Sequence, residues 1–78
     1  MEITYEVNWL KFVVIERKPK TIVWDVLTLD YKSLGRVAWY PHWRKYAFSP
    51  NPNTVFETTC LADIKYFLDW QNEEHKKK

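Results

Sequence analysis

Alternation of apolar and polar positions predicts extended strands through the first two thirds of the chain. Residues 9–17 and 21–29 are rich in β-branched and aromatic side chains, which favour strands. Pro19 separates these two segments, because proline has no backbone N–H to offer a strand ladder. We expect antiparallel strands between residues 9 and 56, with residues 1–8 as an edge strand or an N-terminal arm.

The clearest predicted hairpin joins residues 35–40 to residues 44–49 through a short turn near Pro41. A turn with an even number of residues would pair Trp39 with Arg44. This arrangement places four large apolar side chains on one face, namely Val37, Trp39, Tyr46 and Phe48. The opposite face then carries Arg36, Ala38, Tyr40, Lys45 and Ala47. Gly35 is predicted to belong to the preceding turn, over residues 30–35, where a reversal needs its conformational freedom.

A helical spacing replaces the alternation after residue 58. Apolar residues recur every three or four positions, at Cys60, Leu61, Ile64, Phe67 and Leu68. The predicted helix spans residues 59–74, with Thr59 as its N-cap, and a basic tail follows over residues 75–78. The predicted fold is therefore one α+β domain over residues 1–78. Its antiparallel sheet has four strands, or five if residues 1–8 pair, and the C-terminal helix packs on one face.

The second face of this predicted sheet has no helix to cover it. It receives Val23, Leu27 and Tyr40, together with one apolar set from the first long strand. That set is either Leu10, Phe12 and Val14 or Trp9, Val13 and Ile15. Exposed apolar surface of this kind usually marks an interface. The alternative is that the N-terminal arm, with Ile3, Tyr5 and Val7, folds across this face and closes it.

Length and cysteine content narrow the classes of protein to consider. A chain of 78 residues with five Trp and five Tyr fits a small domain that fills its core with aromatic side chains. The lone Cys60 cannot form an internal disulfide, and with two His it cannot complete a closed zinc site. The chain also has no signal-like start and no apolar run of about 20 residues. We expect a cytoplasmic protein without metal or membrane span.

The charge of the chain gives little indication of a nucleic-acid-binding protein. The formal net charge is +2, and it becomes −1 when the three terminal lysines are set aside. The basic excess is therefore a tail, and a dedicated nucleic-acid-binding domain usually has a stronger and more clustered excess. We interpret the tail as a solvated chain end.

Few residues could carry out catalysis. His42 lies in a predicted turn and His75 in the charged tail, without a positioned second group for acid–base chemistry. Cys60 falls on the apolar stripe of the helix, which favours a buried and unreactive thiol. The sequence therefore predicts a protein that is not an enzyme and needs no cofactor.

An aromatic and basic segment around the predicted hairpin is the best candidate for binding. The candidate residues are Arg36, Tyr40, His42, Trp43, Arg44 and Lys45. Aromatic anchors inside a rim of cations are typical of protein interfaces, and the expected partner is another protein or a second copy of the chain. The alternative is single-stranded nucleic acid or RNA, whose bases stack on aromatic rings and whose phosphates attract cations.

The chain also resembles a group of small uncharacterised bacterial and phage-borne proteins of no assigned activity. The resemblance rests on Val23-Trp24, residues 34–40, residues 43–48 with Pro50, Thr54-Val55-Phe56, Cys60-Leu61 and Asp63-Ile64. It covers about the last two thirds of the sequence. The resemblance implies an origin in phage or another mobile element, and it assigns no functional residues.

Overall fold

A computed structural model of the chain, which describes residues 2–77 with side chains from residue 4 onward, contains five strands and one helix. The elements are β1 (Glu2–Val7), β2 (Leu10–Arg17), β3 (Ile22–Thr28), β4 (Ser33–Tyr40), β5 (Lys45–Pro50) and α1 (Thr58–Lys76). The strands form one antiparallel sheet in chain order. The predicted α+β fold is confirmed, in its five-stranded form. The Ile3 side chain and Lys78 of the predicted tail lie outside the described residues.

The first strand extends the sheet at one edge. Within β1, Tyr5 lies opposite Phe12 and Val7 opposite Leu10, and both side chains pack against the core on the helix side. A register shift between Ile3 and Tyr5 interrupts this pairing. The N-terminal segment therefore does not cross the second face, and the expectation of a covering arm is wrong.

Aromatic stacking between sheet and helix fills the core. Phe12 of β2 and Phe67 of α1 stack with their ring centroids 4.0 Å apart, and the Trp24 ring meets Phe67 edge-on at 5.0 Å. All three side chains are completely buried or nearly so. Such ring pairs add to the free energy of area burial. The core members are Leu10, Phe12, Trp24, Val26, Val37, Tyr46, Ile64 and Phe67.

The centre of the second face is buried, although α1 packs on the other side. Val13, Val23 and Leu27 have relative exposures of 0%, 8% and 4%, whereas Trp9, Ile15 and Tyr40, which were also predicted there, are exposed. Register shifts interrupt the pairing of β1 with β2, of β2 with β3 and of β3 with β4. Irregularities of this kind bend strands and increase twist, so neighbouring side chains can shield the centre of the face. The predicted apolar face is therefore buried at its centre and exposed at Trp9, Ile15 and Tyr40.

The hairpin of β4 and β5 has the predicted faces but a different register. Trp39 pairs with Tyr46 and Tyr40 with Lys45, which leaves a four-residue turn over residues 41–44. The predicted pairing is displaced by two residues, and a displacement by two keeps every side chain on its predicted face. Residues 51–57 lie outside the sheet, so the predicted strand region ends at Pro50 and not at residue 56.

Gly35 lies inside β4, in agreement with the predicted hairpin strand over residues 35–40, and it is not the end of a turn over residues 30–35. Its φ angle is 157°, and it faces Pro50 across the hairpin. A Cβ atom here would collide with the Ser49 carbonyl oxygen and would lie 2.9 Å from the Phe48 ring. The close approach of the two strands therefore requires glycine.

The helix begins and ends close to its predicted limits. The N-cap is Glu57 instead of Thr59, and its carboxylate accepts the Cys60 N–H at 2.7 Å. Glutamate can act here because its side chain reaches forward to an otherwise unpaired N–H of the first turn. Within residues 2–77, no helix combines the length and the apolar character that crossing a membrane requires.

Candidate functional site

The turn between β4 and β5 is closed by two successive backbone hydrogen bonds. The Trp43 N–H donates to the Tyr40 carbonyl and the Arg44 N–H to the Pro41 carbonyl, both at 3.2 Å. Arg44 adopts a left-handed backbone conformation with φ at 52°. Few non-glycine residues occupy this region, so the turn holds its side chains in a defined arrangement.

Three aromatic side chains contact one another at this turn. The Tyr40 ring centroid lies 4.9 Å from Trp43 and 5.4 Å from His42. Tyr40 and Trp43 are 42% and 67% exposed, so the ring contacts do not bury them. We call these three residues, together with Arg36, Arg44 and Lys45, the hairpin patch.

The basic residues of the hairpin patch lie at different distances from its aromatic rings. Lys45 faces Tyr40 across the hairpin, and Arg44 ends the turn. Arg36 shares a face with Tyr40 but lies four residues along β4, about 13 Å away at the rise of a strand. Asp25 pairs with Arg36 across the sheet, and its carboxylate accepts the Ser33 hydroxyl at 2.8 Å. The structure therefore groups five of the predicted residues closely and sets Arg36 apart.

A cleft separates the β4–β5 hairpin from the last turns of α1. Its volume is about 250 Å³, and its lining consists of Trp39, Arg44, Lys45, Asp69, Asn72, Glu73, His75 and Lys76. The Asn72 side-chain oxygen accepts the Tyr46 backbone N–H at 2.7 Å, which ties the helix to β5. The Trp39 and His75 rings lie 4.3 Å apart, and the His75 Nδ1 atom is buried without a hydrogen-bond partner in the described part of the chain.

Sequence reasoning missed a second exposed group at the opposite end of the sheet. Trp9, Leu29 and Tyr31 are 63%, 40% and 55% exposed. The Lys11 ammonium lies 4.0 Å from the centre of the Tyr31 ring. Pairing of Leu10 with Thr28 brings the turns that carry this group to the same end. Turns have no periodic pattern, so the alternation of apolar residues could not indicate this exposed group. The burial of the residues beside these turns was the only signal.

The potential catalytic groups have unfavourable surroundings for chemistry. Burial raises the pKa of the Cys60 thiol, and the adjacent Glu57 carboxylate raises it further. A thiol with a raised pKa has less of the nucleophilic thiolate at neutral pH. His42 is exposed in the turn. In the described part of the chain, no three His, Cys, Asp or Glu side chains are grouped to hold a metal ion.

Comparisons with known proteins give no relative from which a function could be taken. No family model matches the sequence, and no curated protein or solved structure matches the chain. The resemblance to phage-borne proteins therefore stays a prediction. The function has to be argued from the geometry of the hairpin patch and the cleft.

Proposed function

We propose that the chain is a non-catalytic binding protein that uses the hairpin patch to contact another protein. The observation that supports this most directly is the exposed group of contacting rings at Tyr40, His42 and Trp43, fixed on a closed turn. Preformed aromatic groups make good anchors because little conformational freedom is lost when they are buried in a partner. Their position beyond the reach of α1 leaves them open to an incoming surface.

The charges of the hairpin patch favour a partner with an acidic rim. Arg36, Arg44 and Lys45 are exposed, and no carboxylate of the described residues lies within ion-pair distance of any of them. In a symmetric dimer each patch would face its own copy, so Arg44 and Lys45 would meet like charges. A second copy is therefore a poorer partner for this surface than a different, acidic protein.

Single-stranded nucleic acid is the second candidate, supported by the pairing of Ala38 with Ala47. These two small residues lie on the same face as Tyr40 and leave room for a base beside its ring. Arg36 and Lys45 flank this area and would meet phosphates. The Asp25 carboxylate opposite Arg36 weakens the positive potential, which favours the protein partner.

Two exposed tryptophans provide a matched test of the proposal. Trp43→Ala removes the ring at the hairpin patch, whereas Trp9→Ala removes a ring of similar exposure from the opposite end. Within residues 2–77 no aromatic ring contacts Trp9, so its loss leaves the hairpin patch intact. Both variants and the unchanged chain would be immobilised and exposed to extract from source cells, and each captured protein would then be purified and titrated.

We expect Trp43→Ala to weaken binding of the captured protein by at least tenfold, which corresponds to about 1.4 kcal/mol. Trp9→Ala should leave the affinity unchanged. Equal loss in both variants, or no loss in Trp43→Ala, would contradict the proposal. Titration with oligothymidine at two salt concentrations tests the second candidate, because nucleic-acid affinity falls steeply with added salt.

A further inference from the structure

The cleft beside the hairpin patch has more cationic than anionic side chains available to a ligand. Its two carboxylates already have partners on the helix, since Asp69 pairs with Lys65 at 2.7 Å and Glu73 with Lys76 at 3.5 Å. Arg44 and Lys45 line the same cleft from the hairpin. Neither of them forms an ion pair with a described residue. Two positive charges are therefore left uncompensated at the mouth of the cleft.

The lining of the cleft also includes an apolar surface, and an unpaired polar atom lies buried in one of the lining residues. Trp39 packs its ring 4.3 Å from His75, and both residues line the cavity. The buried His75 Nδ1 atom has no hydrogen-bond partner among the described residues. A buried polar atom without a partner costs free energy, and its presence calls for an explanation. Because this atom is buried, the aromatic surface of Trp39 and His75 is what the cleft presents to a ligand here.

We infer that the cleft binds the carboxylate of an acidic side chain presented by the protein partner. Arg44 and Lys45 hold the carboxylate, and the methylene groups of the side chain lie on Trp39. Hydrogen bonds between ionised groups are stronger than those between neutral ones, so a glutamine side chain binds less well. The inference rests on the proposed function, because it names the chemistry of the group that the same partner inserts beside the hairpin patch.

The remaining charges of the cleft favour a carboxylate over nucleic acid. Asp69 and Glu73 line the cavity as well as Arg44 and Lys45. A phosphodiester chain carries a negative charge on every unit and would bring several of them near these carboxylates. A single acidic side chain can contact the two hairpin cations while keeping its one charge away from the helix.

Nuclear magnetic resonance can test this inference on the full chain labelled with ¹⁵N. The probe is the capped peptide acetyl-Gly-Glu-Leu-Glu-Gly-amide, and its control replaces both glutamates by glutamine. We expect the acidic peptide to shift the indole N–H signal of Trp39 and the ring signals of His75 in a saturable manner. The glutamine peptide should bind at least tenfold more weakly.

Two variants separate this inference from the proposed function. The double variant Arg44→Asn, Lys45→Gln should lose the peptide-induced shifts, and asparagine is chosen because it tolerates the left-handed backbone at position 44. An unchanged amide spectrum away from the hairpin would show that this variant folds. Trp43→Ala should keep the peptide-induced shifts at Trp39, because its ring does not line the cleft.

Several results would overturn the inference. These are the absence of shifts at Trp39 and His75, equal affinity for both peptides, or retained shifts in the folded double variant. Tighter binding of oligothymidine than of the acidic peptide at the same signals would also overturn it, in favour of nucleic acid. Failure of the proposed function has a different signature, since the captured protein would then bind Trp43→Ala as well as it binds the unchanged chain.

Discussion

The core under α1 and the hairpin patch both contain aromatic rings in contact with one another. The rings of the core are buried, whereas those of the hairpin patch are exposed. Under the helix, Phe12 and Phe67 stack at 4.0 Å and are fully buried. At the hairpin, Tyr40 and Trp43 lie 4.9 Å apart and are largely exposed. Tyr40 lies on the face of the sheet opposite α1 and Trp43 lies in the turn, so the helix covers neither ring. Contact between aromatic rings therefore indicates a core only where a second layer covers them.

The largest expected difference between the two regions is in the free energy of unfolding. Trp24→Ala should cost about 3–5 kcal/mol, because it removes a buried ring that packs against Phe67 and Tyr46. Trp43→Ala should change stability by less than about 0.5 kcal/mol, as exposed substitutions usually do. Urea unfolding followed by circular dichroism measures both values. Similar losses in the two variants would mean that the hairpin patch is part of the core.

Substitution of Gly35 tests whether the close approach of β4 and β5 contributes to stability. Gly35→Ala should destabilise the chain by about 2 kcal/mol or more, since the new methyl group collides with Ser49 and the backbone angle disfavours alanine. Ala38→Gly, three pairs farther along the same strand, serves as the control and should cost about 1 kcal/mol. The measurement is again the urea midpoint. A smaller loss for Gly35→Ala than for the control would show that the strands can separate without cost.

Trp39 lies between the two regions, and its removal should have an intermediate effect. Its ring is partly buried and contacts Tyr46 at 5.4 Å as well as His75. We expect Trp39→Ala to cost about 2–3 kcal/mol, less than the full truncation of a completely buried ring. Calorimetry would place its melting temperature between those of Trp24→Ala and Trp43→Ala. A melting temperature equal to that of Trp43→Ala would mean that Trp39 is not part of the core and that the core ends at β3.

The smallest expected effect is a dependence of helix stability on pH. The backbone N–H groups of Thr59 and Cys60 lower the pKa of the Glu57 carboxyl. A carboxyl with a lowered pKa stabilises the folded state above its unfolded value of about 4.3, and this stabilisation is lost as the pH falls through the lowered value.

The comparison of the unchanged chain with Glu57→Gln isolates this contribution. The difference in urea midpoint should be constant above about pH 5 and should shrink towards zero in acid, because the other titrating groups are common to both chains. Trp43→Ala should show no such pH-dependent difference from the unchanged chain. A constant difference at every pH would mean that the charge of Glu57 does not contribute to the cap.

The sequence pattern predicted which face a side chain occupies more successfully than it predicted pairing. Val37, Trp39, Tyr46 and Phe48 share a face as expected, yet their partners are displaced by two residues. Apolar alternation has a period of two, so it cannot distinguish registers that differ by two. The turn over residues 41–44 decides the register, and its left-handed Arg44 has no signature in the residue types. Helix limits were predicted well because the three- and four-residue spacing extends over several turns.

Burial of the second face could not be predicted from alternation. Val23 and Leu27 were correctly placed opposite the helix, and Val13 belongs to one of the two alternative sets predicted there, but alternation does not tell whether such positions are exposed. Three register shifts interrupt the sheet, and shifts of this kind bend strands while leaving little trace in a pattern of apolar residues. The hairpin patch was predicted from the aromatic and basic residues around the hairpin, and its role in binding stays a prediction, whereas the cleft depends on how the helix and hairpin meet. Only the packed structure brings His75 against Trp39.

The hydrogen bond from the Tyr46 N–H to Asn72 also limits how the chain can associate through its backbone. Alternate residues of an edge strand point their N–H groups outward, which on β5 are those of Tyr46, Phe48 and Pro50. Asn72 occupies the first of these groups and proline lacks one, so Phe48 alone remains to pair with an added strand. Unprotected edges recruit further strands and start aggregation. At this edge an added strand finds only one backbone donor, which disfavours growth into fibrils.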